Sequence, residues 1–352
     1  MNLNPIINNF QRSIRKVQIC CIFILSCTAC SLNIPYENQY SDPDVITTVT
    51  AARELLASAY DAIPKPEFSL SVLSDDFQPT FLINLNADLN NLYKWHPKPM
   101  EDLSNSLWEK YYSAIGIANT VLERIHYVSP ISDSDKQELQ CIVSEAKTLK
   151  AYCYFNLLRL FAPTYPEGPE KDGIILKERF ELAFLKRSSI SECVNAIRQL
   201  LTEAVTVDNR PSQVYWFSRQ SAYYLLAALE LYAANYDKAE EYALKILSST
   251  NAYDVLAPVH YKKLWEQEPC DECIFSLHTT NSYYTDMNYE RKKGDYFTIN
   301  STLTQLYAAN DIRYEATVYP QEMPGESIGE TLPVLYLGKY NKQNWNYKPI
   351  QY

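Results

Sequence analysis

The stretch SRQSAYYLLAALELYAANYDKAEEYALKIL, residues 218–247, decides the fold of this chain. Its apolar spacing predicts two helices of about sixteen and about twelve residues. A turn at Asn235-Tyr236 separates them, and Asp237 is the predicted cap of the second helix. Alanines lie where the two helices must cross closely. This pattern is typical of a tetratricopeptide-like helical hairpin, here over residues 218–249.

Helical patterns precede this hairpin. Residues 48–63 place apolar side chains on one stripe that Pro64 ends, namely Ala52, Leu55, Leu56, Ala59, Tyr60 and Ile63. Residues 64–104 resemble a loop. Further helices are predicted from Ser106, with Glu109 as its capping-box partner, from Ser134 to Phe161, and from Ser189, with Glu192 as partner. Successive hairpins predict a stacked α-solenoid rather than a bundle around one centre.

The pattern changes after about residue 252, where the helical periodicity ends. Short strands are predicted in CIFSLHTT, YFTI and LPVLYLGKY, with tyrosine-rich loops between them. The predicted fold is therefore mainly α, with stacked tetratricopeptide-like hairpins and an irregular, loop-rich C-terminal region that holds a few short strands.

The N-terminus has the features of a secretory signal. A basic segment, Arg12–Lys16, precedes an apolar run that ends in small residues and is too short to span a membrane. A cysteine follows the predicted cleavage point, which makes residues 1–29 a lipoprotein signal peptide and Cys30 the lipid attachment site, with Cys27 as the alternative. Residues 30–47 are polar and predict a tether, so the lipid would anchor the protein to a bilayer without spanning it.

Composition excludes several function classes. The 352-residue chain has a net charge of −10, which repels phosphate backbones and argues against nucleic-acid binding. Only seven glycines occur, and no P-loop or G-x-S-x-G motif is present. The four histidines form no metal-ligand pair, and the Cys270–Cys273 CxxC has no second pair to complete a zinc site. We therefore expect no enzyme activity, no cofactor and no metal; the two CxxC thiols could be free or joined in a local disulfide.

Aromatic residues in loops are the candidates for ligand binding. Flat aromatic faces stack on the C–H faces of sugar rings, and neighbouring polar groups bind the hydroxyls. Core packing is the alternative explanation for each of them. Asp75, of the Asp75-Asp76 pair, is a polar candidate, although a solvated loop also explains it. The full candidate set is Asp75, Tyr93, Trp95, Tyr283, Tyr284 and Tyr296.

The order of these elements resembles the SusD/RagB family, the outer-membrane lipoproteins of Bacteroidetes nutrient-uptake systems. The strongest match is SEAKTLKAYCYFNLLRLFAPTYP, residues 144–166, in which Lys150 stands where arginine is usual and Ala162 where glycine is usual. The resemblance also rests on the W-x-x-x-Y-x-x-I-x-x-A-N segment, through Trp108, Tyr112, Ile115, Ala118 and Asn119.

The resemblance implies that residues 48–352 form a SusD-like nutrient-binding domain. Such proteins are non-catalytic lids on a SusC-like TonB-dependent transporter, face the cell exterior from the outer membrane, and capture oligosaccharides or sometimes peptides. Their ligand loops vary in sequence, so no ligand residue carries over. A further helical segment follows in the family, so we expect a C-terminally truncated domain. The alternatives are a peptide-binding RagB-like uptake protein and a tetratricopeptide scaffold lipoprotein that binds other proteins.

Overall fold

The computed structural model describes residues 46–179, 184–248, 261, 273–278, 296–325, 327, 329–337 and 346–350. The α-helices in these ranges are α1 (Val49–Asp61), α2 (Glu67–Leu73), α3 (Ala87–Tyr93), α4 (Pro97–Arg124), α5 (Asp133–Phe161), α6 (Ile190–Ala204), α7 (Arg219–Tyr232), α8 (Tyr236–Leu247), α9 (Ser301–Gln305) and α10 (Ile312–Thr317). The strands are β1 (Phe77–Pro79), β2 (Phe275–His278), β3 (Phe297–Ile299), β4 (Val318–Pro324), β5 (Thr331–Leu337) and β6 (Asn346–Ile350). The predicted signal peptide, with Cys27 and Cys30, lies outside the described residues.

The first helix confirms its predicted apolar stripe. The side chain of Thr48 caps α1 by accepting a hydrogen bond from the Ala51 amide at 3.1 Å. All six predicted stripe positions are buried. An amphipathic stripe therefore directs α1 onto the core.

The long helices pack in succession, which confirms the mainly α, solenoid-like fold. Helix α1 lies against α4 and α5, and then α5 packs on α6, α6 on α7 and α7 on α8. Each pairing buries the apolar stripe of one helix against its neighbour. Together they enclose one large hydrophobic cluster, which we name the first core. Three rings meet inside it, where Phe217 stacks on Phe275 at 4.0 Å between ring centres and Tyr60 lies 5.4 Å from Phe217.

Two helix starts differ from the sequence prediction. Helix α4 begins at Pro97, not Ser106, because proline fits the first helical position, where its missing amide hydrogen is not needed. Residues 64–104 are consequently not one loop, since they contain α2, α3, β1 and the start of α4. Helix α5 begins at Asp133, because Ser132 and not Ser134 forms the capping box, with Asp135.

The deciding hairpin is confirmed with one correction. Helices α7 and α8 have fourteen and twelve residues. Asn235 occupies the N-cap position of α8, whereas Asp237, the predicted cap, lies in the first helical turn. There its negative charge still complements the positive end of the helix dipole. The capping box of α6, between Ser189 and Glu192, is confirmed.

Two tyrosine hydroxyls fix the connection between α5 and α6. Tyr112 of α4 donates to the carbonyl of Ile175 at 2.8 Å and accepts from the Ile175 amide at 2.9 Å. Tyr154 of α5 bonds the carbonyl and the amide of Lys177 in the same way, at 2.7 and 2.8 Å. Each hydroxyl satisfies both backbone groups of one residue, so this non-helical segment carries no orphaned polar groups there.

The three predicted strands are present as β2, β3 and β5. Each pairs antiparallel with a strand that the sequence did not predict: β2 with β6, β3 with β1, and β5 with β4. A second, smaller cluster of buried residues surrounds the β1–β3 pair, and we name it the second core: Val72, Phe77, Ile83, Leu92, Phe297, Ile299, Ala316 and Val318. In the described part of the chain, no helix combines the length and apolar character that crossing a bilayer requires.

Candidate ligand-binding surface

The second core anchors two of the candidate aromatic residues. Phe77 of β1 stacks on Phe297 of β3 at 5.5 Å between ring centres, and Tyr93 packs against Phe297 at 5.8 Å. Tyr296 precedes β3, and its carbonyl accepts a hydrogen bond from the Thr80 amide at 2.9 Å. Both tyrosines are half-buried against this cluster. Their rings therefore support the surface from beneath more than they present a face to solvent.

Trp95 presents a different arrangement, in the turn between α3 and α4. Its side chain is 60% exposed. Its amide donates to the carbonyl of Leu92, and the next amide, of His96, donates to the carbonyl of Asn91, both at 2.9 Å. These two bonds are a Schellman motif, which ends a helix with one residue in the left-handed conformation. The motif fixes the backbone from which the indole projects.

The backbone of Trp95 is strained. Its φ is +56°, a conformation that usually belongs to glycine and is unfavourable for a bulky side chain. Because the indole is mostly exposed, its burial does not compensate for this strain. A strained residue whose side chain contributes little to folding is a candidate for a functional role. An open indole face on a fixed backbone can stack on an apolar ligand face, such as the C–H face of a sugar ring.

The remaining candidate ligand residues do not lie together in the structure. Asp75 is exposed in the turn before β1. The carbonyl of Asp76 accepts from the Asn300 amide at 2.9 Å, which ties this turn to the end of β3. Asp75 and Tyr296 therefore lie at opposite ends of the β1–β3 pair. The structure brings Tyr93 and Tyr296 to one cluster, with Trp95 two residues beyond Tyr93. Tyr283 and Tyr284 lie outside the described residues.

Sequence reasoning missed a polar cavity of about 550 Å³ beside α1 and α5. Glu145 is buried there, and its Oε2 accepts hydrogen bonds from Arg53 at 2.8 Å and from the Tyr60 hydroxyl at 3.2 Å. Its Oε1 accepts from the side-chain amide of Asn209 at 3.3 Å. The Arg53 guanidinium also lies 5.0 Å from the centre of the Trp216 ring. These contacts satisfy the buried charge, so they stabilise the fold.

Burial raises the pKa of Glu145, although Arg53 and the hydrogen bonds oppose that rise. The sequence contains one signal for this network, because Glu145 is an acidic residue in a helix that is apolar on almost all sides. Such an acid requires a partner, but the sequence does not show which basic residue supplies it. Among the side chains described, no three His, Cys, Asp or Glu residues are grouped as metal ligands.

Fold and surface together define a helical-repeat protein that presents an exposed, backbone-fixed tryptophan. A sequence-family model described as SusD-like, "starch-binding associating with outer membrane", matches residues 35–231. That match covers more than half of the chain, and the chain belongs to this SusD-like family. A comparison with curated proteins found no significant match.

Solved structures share the fold at low sequence identity. A SusD-like carbohydrate-binding protein from Bacteroides vulgatus matches with a TM-score of 0.69 and 15% identity, over 87% of this chain and 69% of that one. A surface glycan-binding protein from Bacteroides uniformis matches with a TM-score of 0.60 and 18% identity, over 86% and 72% of the two chains. A laminarin-binding SusD-like protein matches with a TM-score of 0.64 and 18% identity, over 87% and 78%. These likenesses establish the fold.

Proposed function

We propose that this protein is a non-catalytic, cell-surface lipoprotein that binds oligosaccharides and delivers them to a SusC-like TonB-dependent transporter. The observation that carries the binding role is Trp95, whose indole stands exposed on a strained, hydrogen-bonded turn. Family membership, and the glycan ligands named for two fold relatives, support an oligosaccharide as the ligand class. The proposed anchor is a lipid on Cys30, with Cys27 as the alternative. This lipid would hold the protein to the outer membrane, with the protein facing the cell exterior.

Binding follows from the physical chemistry of the Trp95 turn. The α3 helix and the two Schellman hydrogen bonds order the backbone before a ligand arrives, so binding loses little backbone entropy there. The indole supplies a large flat apolar face with few rotatable bonds. Tyr93, Tyr296 and Asp75 are the further ligand candidates from this region, together with Tyr283 and Tyr284.

Binding measurements on Trp95→Ala test the proposal. We expect the wild-type protein to bind laminarin or maltoheptaose in isothermal titration calorimetry, and the variant to bind at least about tenfold more weakly, a loss of about 1.4 kcal/mol. Tyr236→Ala is the matched control, since Tyr236 is 66% exposed but lies at the start of α8. The control should retain wild-type affinity.

Two outcomes would contradict the oligosaccharide assignment. Equal affinities for Trp95→Ala and wild type would remove Trp95 from the site. Binding of a defined peptide mixture, with no binding of either glycan, would favour the peptide-binding alternative. Mass spectrometry of the mature N-terminus tests the anchor separately, because a diacylglyceryl group on Cys30 and one on Cys27 leave N-termini that differ by three residues.

A further inference from the structure

A second cavity lies between α2, α4, α5 and α7, and none of its lining residues belongs to the Trp95 turn. Its volume is about 680 Å³. Cavities of a few hundred to about 1,000 Å³ suit small organic ligands. Residues of four helices line it, so its shape is set by packed secondary structure.

Five aromatic side chains line the cavity. They come from α4, α5 and α7: Tyr111, Tyr152, Phe155, Tyr224 and Tyr232. Phe155 and Tyr232 meet edge to face at 5.7 Å, and the Tyr232 hydroxyl donates to the Pro163 carbonyl at 3.2 Å. These contacts hold the rings of the wall in place, so the apolar surface that they offer is preorganised.

The polar groups of the cavity are few. Glu67 of α2 lines it, and the Oε2 atom of this residue is shielded from solvent and has no hydrogen-bond partner. Asn156 lies on the same wall and is buried. An unpartnered buried carboxyl oxygen is costly for a folded protein, and a ligand that supplies its partner recovers part of that cost. Burial also raises the pKa of Glu67 to about 8, so this carboxyl is mainly neutral near pH 7.

Arg159 decides the charge of the ligand. Its guanidinium already lies over the Phe155 ring, 5.0 Å from the ring centre, and donates to Asn156 Oδ1 at 2.6 Å. A cationic ligand would need a free aromatic face, but the Phe155 face is already occupied by the Arg159 guanidinium, whose positive charge would repel the ligand. An anionic ligand would lie against ring faces whose π electrons are negative, and the Arg159 charge that could attract it is already directed to the Phe155 ring and Asn156. A neutral ligand with both apolar faces and hydroxyl groups avoids both conflicts.

We infer that this cavity binds a neutral monosaccharide or disaccharide, at a site separate from the Trp95 surface. The C–H faces of the sugar stack on the tyrosine and phenylalanine rings, and hydroxyl groups bond Glu67 and Asn156. The choice of a sugar among neutral hydroxylated ligands rests on the proposed function. The cavity, its lining and its charge are observed independently of that function.

A substitution that fills the cavity tests the inference. Ala228 of α7 lines the cavity, so Ala228→Trp should occupy part of its volume. Ala243→Trp is the matched control, because Ala243 is exposed on α8 and lines no part of this cavity. Circular dichroism and the thermal midpoint should show that both variants are folded. Titration calorimetry with glucose, maltose and tetramethylammonium then measures binding.

We expect the wild-type protein to bind glucose or maltose, Ala228→Trp to lose at least about tenfold in affinity, and Ala243→Trp to lose none. Trp95→Ala should keep the affinity for these small sugars within about twofold. Equal binding by the two tryptophan variants, no binding of either sugar, or binding of tetramethylammonium alone would overturn the inference. If Trp95→Ala loses laminarin and the cavity variant changes nothing, the inference fails while the proposed function stands.

Should Ala228→Trp not fold, Asn156→Leu replaces it. This variant removes a polar group from the cavity wall and keeps a side chain that branches at Cγ. A loss of affinity for glucose or maltose supports the inference, and unchanged affinity for both sugars contradicts it.

Discussion

The first core and the second core differ in what they bury and in what their edges expose. The first core joins the long helices and contains a buried acid, Glu145, whose partners are all in place. The second core is small, surrounds the β1–β3 pair, and lies under a turn whose tryptophan is exposed. Both regions also contain a helix that ends in a Schellman motif without glycine.

The shared motif makes the comparison informative. Helix α7 ends with Ala234 at φ +58°, and α3 ends with Trp95 at φ +56°. In both turns the two expected backbone hydrogen bonds are present, from Ala234 to Leu231 and from Asn235 to Glu230 in the first. The backbones accept the same strain, yet one position carries a methyl group and the other an exposed indole. The proposal that Trp95 binds a ligand accounts for this difference, whereas the Ala234 turn needs only a structural role.

Removing the basic partner of Glu145 should give the largest loss of stability. Arg53→Met leaves that carboxylate buried without its charge partner, so the free energy of unfolding should fall by about 3–5 kcal/mol in urea denaturation. Affinity for glycan at the Trp95 surface should stay unchanged in the folded protein. Arg210→Met is the control, because the Arg210–Asp208 pair is exposed and should contribute less than about 1 kcal/mol.

A double variant separates the contribution that the charge of Arg53 makes to stability from the contribution of its packing. Arg53→Met combined with Glu145→Gln removes the unpaired charge while the amide can still bond Tyr60 and Asn209. This pair should recover a large part of the lost stability. If the double variant is as unstable as Arg53→Met alone, the loss comes from the packing of Arg53 on Trp216, and the charge network is not what stabilises the first core.

Glu67, whose Oε2 atom has no hydrogen-bond partner, should make the stability of the protein fall as pH rises. Burial raises the pKa of Glu67 from 4.5 to about 8, so the folded protein keeps this proton while the unfolded chain releases it. The stability due to the protonated carboxyl is complete below pH 4.5 and is lost as pH rises towards about 8. Glu67→Gln should therefore change little at pH 5 and raise the free energy of unfolding by about 1–3 kcal/mol at pH 8.

Glu192 supplies a control of opposite sign. Hydrogen bonds from the Ser189 amide and hydroxyl lower the pKa of its carboxyl, so its contribution is present at neutral pH and is lost as pH falls. Glu192→Gln should accordingly destabilise the protein at pH 8 and much less at acid pH. Urea denaturation of both variants between pH 4 and pH 8.5 measures the two trends. A Glu67→Gln effect that is constant across this range would show that its carboxyl is not buried unpaired.

The two regions also differ in how far the sequence predicts them. The stripe of α1 and the α7–α8 hairpin follow from local periodicity, which the fold then buries as expected. Helices α2 and α3 have seven residues each and lie between prolines and a strand, so no periodic signal is long enough to reveal them. Their buried side chains, such as Val72 and Leu92, belong to the second core, whose strand β3 comes from far along the chain.

The candidate site is also only partly predictable from the sequence. The sequence pattern places Tyr93 and Trp95 in the same set of loop aromatics, and only tertiary contacts separate Tyr93, which packs on Phe297, from Trp95, which is exposed. The left-handed conformation of Trp95 is also invisible in the sequence, because glycine is the residue that normally signals a Schellman motif. Glu67 could not be found either, since its burial depends on helices that follow it in the chain.

Glycine at each left-handed Schellman position should give the smallest changes in stability. These two substitutions also compare the Ala234 and Trp95 turns most directly. Both Ala234→Gly and Trp95→Gly relieve a left-handed backbone, and each should raise the free energy of unfolding by about 0.5–1 kcal/mol. Only Trp95→Gly should also lose glycan binding, because of these two residues only Trp95 has a proposed role in ligand binding. Trp95→Ala keeps the strain and should leave stability unchanged. Urea denaturation and calorimetry of all three variants measure both properties. If Trp95→Gly instead destabilises the protein, the indole contributes packing that outweighs its backbone strain, and the proposed contrast between the Ala234 turn and the Trp95 turn is wrong.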